Sequence, residues 1–104
     1  MLLKGKTVVL TGSNRGIGKA MLEVFAKNGA NIWACVRKPD DNFTRDIAVL
    51  TEKTGVTISP VYFDLADVEQ VKEGVKTIRS SKQSVDILVN NAGINYTSLL
   101  QMTP

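Results

Sequence analysis

Thr7-Val8-Val9-Leu10-Thr11-Gly12-Ser13-Asn14-Arg15-Gly16-Ile17-Gly18 is the stretch on which the reading of this chain turns. Its first five residues form a short β-branched run that reads as a buried strand. Glycines at 12, 16 and 18 follow, spaced G-x-x-x-G-x-G where the commoner phosphate-binding turn has G-x-G-x-x-G. Beyond them, Ile17, Ala20, Met21, Val24 and Phe25 recur at the i, i+3, i+4, i+7, i+8 spacing of an inward helix face, and Asn28-Gly29 ends that helix. Glycine permits a tight turn and close backbone approach, and the N–H groups at the start of the next helix attract a pyrophosphate. The same glycines also suit a plain strand-to-helix connection that holds no ligand.

Working outward, the pattern repeats. Asn31 to Val36 reads as a second buried strand, and Asp40 to Lys53 as a helix with Phe43, Ile47 and Leu50 inward and Gly55 as its stop. Val56 to Phe63 is the third strand, in which Pro60 marks a bend or an edge position. Val68, Val71, Val75 and Ile78 then mark a helix, with Asp64 or Asp67 as its cap and Arg79 and Lys82 suited to its C-terminal end. Asp86 to Asn90 is the fourth strand. Strands separated by helices must run parallel with right-handed crossovers. The expected fold is therefore α/β: the N-terminal half of a doubly wound, Rossmann-type parallel sheet, with four strands and three helices.

Composition narrows the chemistry. With 104 residues there is room for one domain. The longest apolar run, Ile32 to Val36, has five residues, far short of the roughly 18 that a membrane helix needs, and the first residues lack the apolar core of a signal peptide. A single cysteine, Cys35, excludes an internal disulfide, and it reads as core; the absence of histidine removes Ser-His-Asp and Cys-His nucleophile chemistry and histidine metal sites. A reducing cytosol is the expected compartment. Residues 1–50 carry eight Lys/Arg against four Asp/Glu, so the positive half of this net +3 chain is the half with the glycine turn. The basic residues are dispersed and aromatics are few, so no nucleic-acid partner is expected.

The end of the second strand bears on the cofactor. NAD-binding sites of this kind place a carboxylate there to hold the adenosine ribose. This strand ends Cys35-Val36-Arg37-Lys38, and Asp40 and Asp41 suit helix capping. Arg37 suits a ribose 2′-phosphate, with Arg15 as a second cation; both also suit plain solvated surface. Asp64 follows the third strand and Asn90-Asn91-Ala92-Gly93 the fourth, at the sheet edge where ligands bind. A helix cap and turn residues are the plainer roles for Asp64, Asn91 and Gly93.

Together, the Thr11–Gly18 turn, Asp64-Leu65 and Asn90-Asn91-Ala92-Gly93 resemble the short-chain dehydrogenase/reductase family, most closely the N-terminal part of 3-oxoacyl-[acyl-carrier-protein] reductases and related carbonyl reductases. The resemblance runs the length of the chain. It implies that Gly12, Ser13, Asn14, Arg15, Gly16, Ile17 and Gly18 surround the pyrophosphate and nearby ribose, that Arg37 selects NADP, that Asp64 and Leu65 flank the adenine, and that Asn91, Ala92 and Gly93 contact the cofactor and support the sheet. It also implies a carbonyl substrate, reduced by hydride transfer. The family's catalytic serine and Tyr-x-x-x-Lys pair have no match: Tyr62 is followed four residues later by Ala66, and Tyr96 by Leu100. No catalytic residue is assigned.

Two features suggest a part of a longer protein. Ile87-Leu88-Val89 is apolar on both faces, as in a central strand, and left as an edge it invites self-association, so a homo-oligomer is expected. Thr103-Pro104 has the N-cap and N1 chemistry of a helix start. A non-catalytic dinucleotide-binding or interaction module is the second reading. A methyltransferase-like binder of another nucleotide is a third, and the missing acid at Arg37 argues against it.

Overall fold

Alternation of strand and helix does force parallel pairing here. The computed structural model describes residues 2–14 and 16–91. Its elements run β1 (Thr7–Thr11), α1 (Gly16–Lys27), β2 (Asn31–Val36), α2 (Asp41–Thr54), β3 (Ile58–Tyr62), α3 (Val68–Ser80) and β4 (Ile87–Val89). All three strand pairings are parallel, with Thr7 level with Asn31, Val8 with Ile87, and Ile32 with Ile58. The sheet order is β3-β2-β1-β4. The chain thus winds outward from β1 to β3, then crosses back to pair β4 on the far side of β1.

Strand side chains alternate between the two faces, and both faces are covered. Val8, Leu10, Ile32, Ala34, Val36 and Ile58 pack with Leu22 and Ala26 of α1 and Phe43, Ile47 and Leu50 of α2. Val9, Cys35, Val61 and Phe63 pack with Val71, Val75 and Ile78 of α3. This is the expected Rossmann-type half, with two helices on one face and one on the other.

Helix α2 follows its sequence signals to within a residue at each end. Asp40 caps it by accepting from the Asn42 N–H at 2.9 Å, and Gly55 closes it in the left-handed region at φ 77°. Helix α1 departs from expectation. The stripe Ile17, Ala20, Met21, Val24, Phe25 does not face inward: Ile17 is 74% and Val24 56% exposed. Gly18, Leu22 and Ala26 are buried instead, with Met21 and Phe25 partly buried beside them. The helix is turned by one residue, about 100°. The cause is Gly18, where an added Cβ would stand 1.8 Å from the Gly12 carbonyl oxygen. A close backbone contact, not apolar spacing, fixes the rotation.

Three smaller corrections have equally local causes. Val68 lies in the first position of α3 and is exposed; Gly74 completes the inward stripe, its missing side chain leaving room for the Phe63 ring. Val56 and Phe63 are buried but flank β3. Asp86 stands outside β4 because its carboxylate takes over part of the pairing: Oδ2 accepts from the Thr7 N–H at 2.8 Å while its own N–H donates to the Thr7 carbonyl at 2.9 Å. Pro60 lies on the edge strand, exposed, level with Ala34. Strand β4 is the other edge of the described sheet, and its three residues are half-buried.

Candidate functional site

The point where the winding reverses lies between β1 and β4, and in open parallel sheets ligands bind outside the carboxyl ends of the strands at such a point. Gly12 leaves β1 with φ 64° and Gly16 starts α1 with φ 59°, both in the region that favours glycine. Among the described residues, a Cβ on Gly16 would meet nothing within 4 Å. At Gly18 the turn is closed, the Asn91 Nδ2 standing 2.9 Å from where a Cβ would be.

Three contacts hold the turn. The Gly12 N–H donates to the Cys35 carbonyl at 3.0 Å. The Ser13 hydroxyl donates to the same carbonyl at 3.4 Å. From the segment just past β4, the Asn91 carboxamide donates to the Gly12 carbonyl at 3.3 Å. Thr11 adds a link to β4, its hydroxyl lying 3.2 Å from Asn90 Oδ1. Ser13 is fully buried, so its side chain serves the loop's shape and presents no surface. Asn14 is half-buried, while Gly16 and Ile17 are exposed.

Arg37, just past β2, meets Asp64, just past β3: Nε lies 3.4 Å from Oδ2. Asp64 is not the cap of α3. Asp67 is, accepting from the N–H groups of Glu69 and Gln70 at 3.0 and 3.2 Å. Asp64 instead takes the Ala66 N–H on Oδ1 at 2.9 Å, and its own N–H donates to Gln70 Oε1 at 2.8 Å. Leu65 is half-buried against the α3 side of the core. The sequence reading missed Gln70 and Thr11. Asp67 followed three residues later by Gln70 is a capping-box spacing, and it was the signal for both the cap and Gln70. Thr11 left no such mark, since its partner Asn90 is far along the chain.

Burial pushes the Cys35 thiol up to about 12. It is therefore an inert core thiol, as its strand position suggests. Among the described residues no group of His, Cys, Asp and Glu could hold a metal ion, and no helix is long and apolar enough to cross a membrane. Arg15, Ala92 and Gly93 lie outside the described residues, as do Tyr96, Thr103 and Pro104.

The model of a protein family described as short chain dehydrogenase matches residues 6–103. The chain belongs to that family. Rat dehydrogenase/reductase SDR family member 7B is 38% identical, over 97% of this chain and 32% of its own length. The 3-oxoacyl-[acyl-carrier-protein] reductase of Chlamydia muridarum is 35% identical, over 95% of this chain and 40% of its own. L-sorbose reductase from Gluconobacter frateurii, solved with NADPH and L-sorbose, superposes with a TM-score of 0.79 at 45% identity. That match covers 88% of this chain and 34% of the reductase. Carveol dehydrogenase from Mycobacterium avium, another matching structure at 25% identity, was solved with NAD. The chain spans between about a third and two fifths of the length of these relatives.

Proposed function

We propose that these residues form the NADP(H)-binding portion of an oxidoreductase that reduces a carbonyl compound, 3-oxoacyl thioesters being one candidate class. The observation that carries this reading is the gathering of four features at one sheet edge: the glycine turn, Arg37, Asp64 and Asn91. The cradle fits a pyrophosphate. Its floor is closed at Gly18, no described residue stands within 4 Å of where a Gly16 Cβ would be, and no acidic residue lies in the first turn of α1. Gly12, Asn14, Gly16 and Ile17 would border the diphosphate, with Arg15 as a nearby cation by sequence. Asp64 and Leu65 would border the adenine, and Asn91, with Ala92 and Gly93 after it, the inner end.

Arg37 would take the 2′-phosphate. A planar guanidinium meets phosphate oxygens through paired donors and carries a permanent positive charge. Bound NADPH would supply the hydride. The proton for the nascent alkoxide needs an acid of the Tyr-x-x-x-Lys kind, and we place it in the part of the relatives' length that this chain does not span. A homo-oligomeric, cytoplasmic protein is part of the same proposal, with β4 as the edge that another segment covers.

Titration of the protein with NADPH and with NADH at low salt tests the cofactor assignment. One charge-assisted contact is worth about 1.5–3 kcal/mol, so NADPH should bind roughly ten- to a hundredfold tighter. Arg37→Asp should reverse the order. Equal affinities, or a ratio that the substitution leaves alone, would overturn the NADP(H) assignment.

A further inference from the structure

Arg37 is not alone in the described site: Asp64 stands beside it as a fixed counter-charge. Asp64 is held at two points, one on its carboxylate and one on its backbone. Oδ1 accepts from the Ala66 N–H at 2.9 Å, and the Asp64 N–H donates to Gln70 Oε1 at 2.8 Å. Gln70 is in turn fixed to the α3 cap, its Nε2 donating to Asp67 Oδ2 at 3.2 Å. Oδ2 is left to face Arg37. The arginine side chain is 79% exposed and the aspartate 32%.

Such a neighbour can act in two opposed ways. It can hold the guanidinium in place for a phosphate, or it can spend part of its charge before the phosphate arrives. At 3.4 Å the Nε–Oδ2 separation exceeds the usual hydrogen-bond range of about 2.7–3.2 Å. Exposed pairs of this kind hold geometry weakly. The negative charge, in contrast, acts through space whatever the arginine rotamer, and it repels a dianionic phosphate on the same guanidinium. The second effect wins.

We infer that Asp64 determines how sharply the site discriminates between the two dinucleotides, by neutralising Arg37 when no 2′-phosphate is present and competing with that phosphate when it is. The inference rests on the NADP(H) assignment above. It makes the site prefer NADP(H) while tolerating NAD(H), because an unphosphorylated ribose does not leave Arg37 without a counter-ion.

The test is the ratio of NADPH to NADH dissociation constants, measured by direct titration at fixed ionic strength. Contacts of Asp64 to the adenine are common to both cofactors and cancel in this ratio. Asp64→Asn keeps the shape and the Ala66 contact but removes the charge. It should raise the preference for NADPH by about three- to tenfold, the size of one screened unit charge at short range. Asp64→Ser, also uncharged and able to accept from Ala66, should move the ratio the same way. Asp64→Glu should leave it within about twofold of the unmodified protein, since the charge is kept. A ratio that stays put or falls in both uncharged variants, while Arg37→Ala still collapses it, overturns the role of Asp64 and leaves the NADP(H) assignment standing. If Arg37→Ala leaves the ratio untouched, both fall.

Discussion

The three helices begin in two different ways. Helices α2 and α3 start with an aspartate cap, Asp40 or Asp67, and carry a further acid in the first turn, Asp41 or Glu69. Helix α1 has no acid in its first turn, and its N-cap position, residue 15, lies outside the described residues. Its approach is held from behind, by the Cys35 carbonyl on β2 and the Asn91 carboxamide just past β4. Caps satisfy the first N–H groups of a helix at the cost of filling their outer side. A first turn without an acid keeps the positive end of α1 favourable to an anion, and the approach to it takes its rigidity from tertiary contacts. The difference separates helices that complete the fold from the helix whose start, on the proposed reading, meets the dinucleotide.

The strongest attack on this contrast is at Gly18. Gly18→Val would drive a side chain into the Gly12 carbonyl, 1.8 Å from an ideal Cβ. Backbone cannot yield as a side chain can, so a loss of at least about 3 kcal/mol is expected by urea denaturation. Next comes the anchor strand itself. The Cys35 thiol keeps its proton up to about 12 in the folded chain, whereas the unfolded thiol releases it near 9. The folded state therefore binds more protons in that interval, and stability is whole below pH 9 and falls as pH rises towards 12. The slope is roughly 1 kcal/mol per pH unit. Denaturation midpoints of the native protein and Cys35→Ala should diverge in slope above pH 9 and run parallel below it.

Smaller effects separate the two kinds of helix start directly. Asp67→Ala removes the α3 cap and should cost about 1 kcal/mol, with little change in dinucleotide affinity. Ile17→Glu gives α1 the first-turn acid that α2 and α3 already have. Because Ile17 is exposed, little packing is lost, and stability should rise by about 0.3–1 kcal/mol. Dinucleotide binding should weaken by about three- to tenfold, the new carboxylate meeting the diphosphate. A variant that gained stability without losing affinity would show that the α1 start does not face the ligand.

What the sequence made legible was local. Asp40 and Gly55 bound α2 because caps act on their own turn, and the alternation of Asn31–Val36 with helical spacing required a parallel sheet. The rotation of α1 was hidden, since it depends on Gly12 and Gly18 touching across a turn, and apolar spacing pointed to the neighbouring face. Asp64 was readable as a cap or as a site residue; only the side-by-side ends of β2 and β3 bring it to Arg37. Those strands are consecutive and in register from Ile32–Ile58 to Val36–Tyr62, so the meeting follows from topology rather than from either residue's type.

Pro60 has a consequence for how far this sheet can extend. Thr57 accepts from the Ile32 N–H, and the Phe63 N–H donates to Val36. Odd-numbered backbone groups along β3 therefore point to β2, and those of Ile58, Pro60 and Tyr62 point outward. Proline has no N–H to offer. The outer rim of β3 thus presents a donor, a gap and a donor, a broken template on which an incoming strand cannot register a continuous ladder. Strand addition on that flank is closed by one imino acid, and the sheet has a direction of growth built into its covalent chemistry.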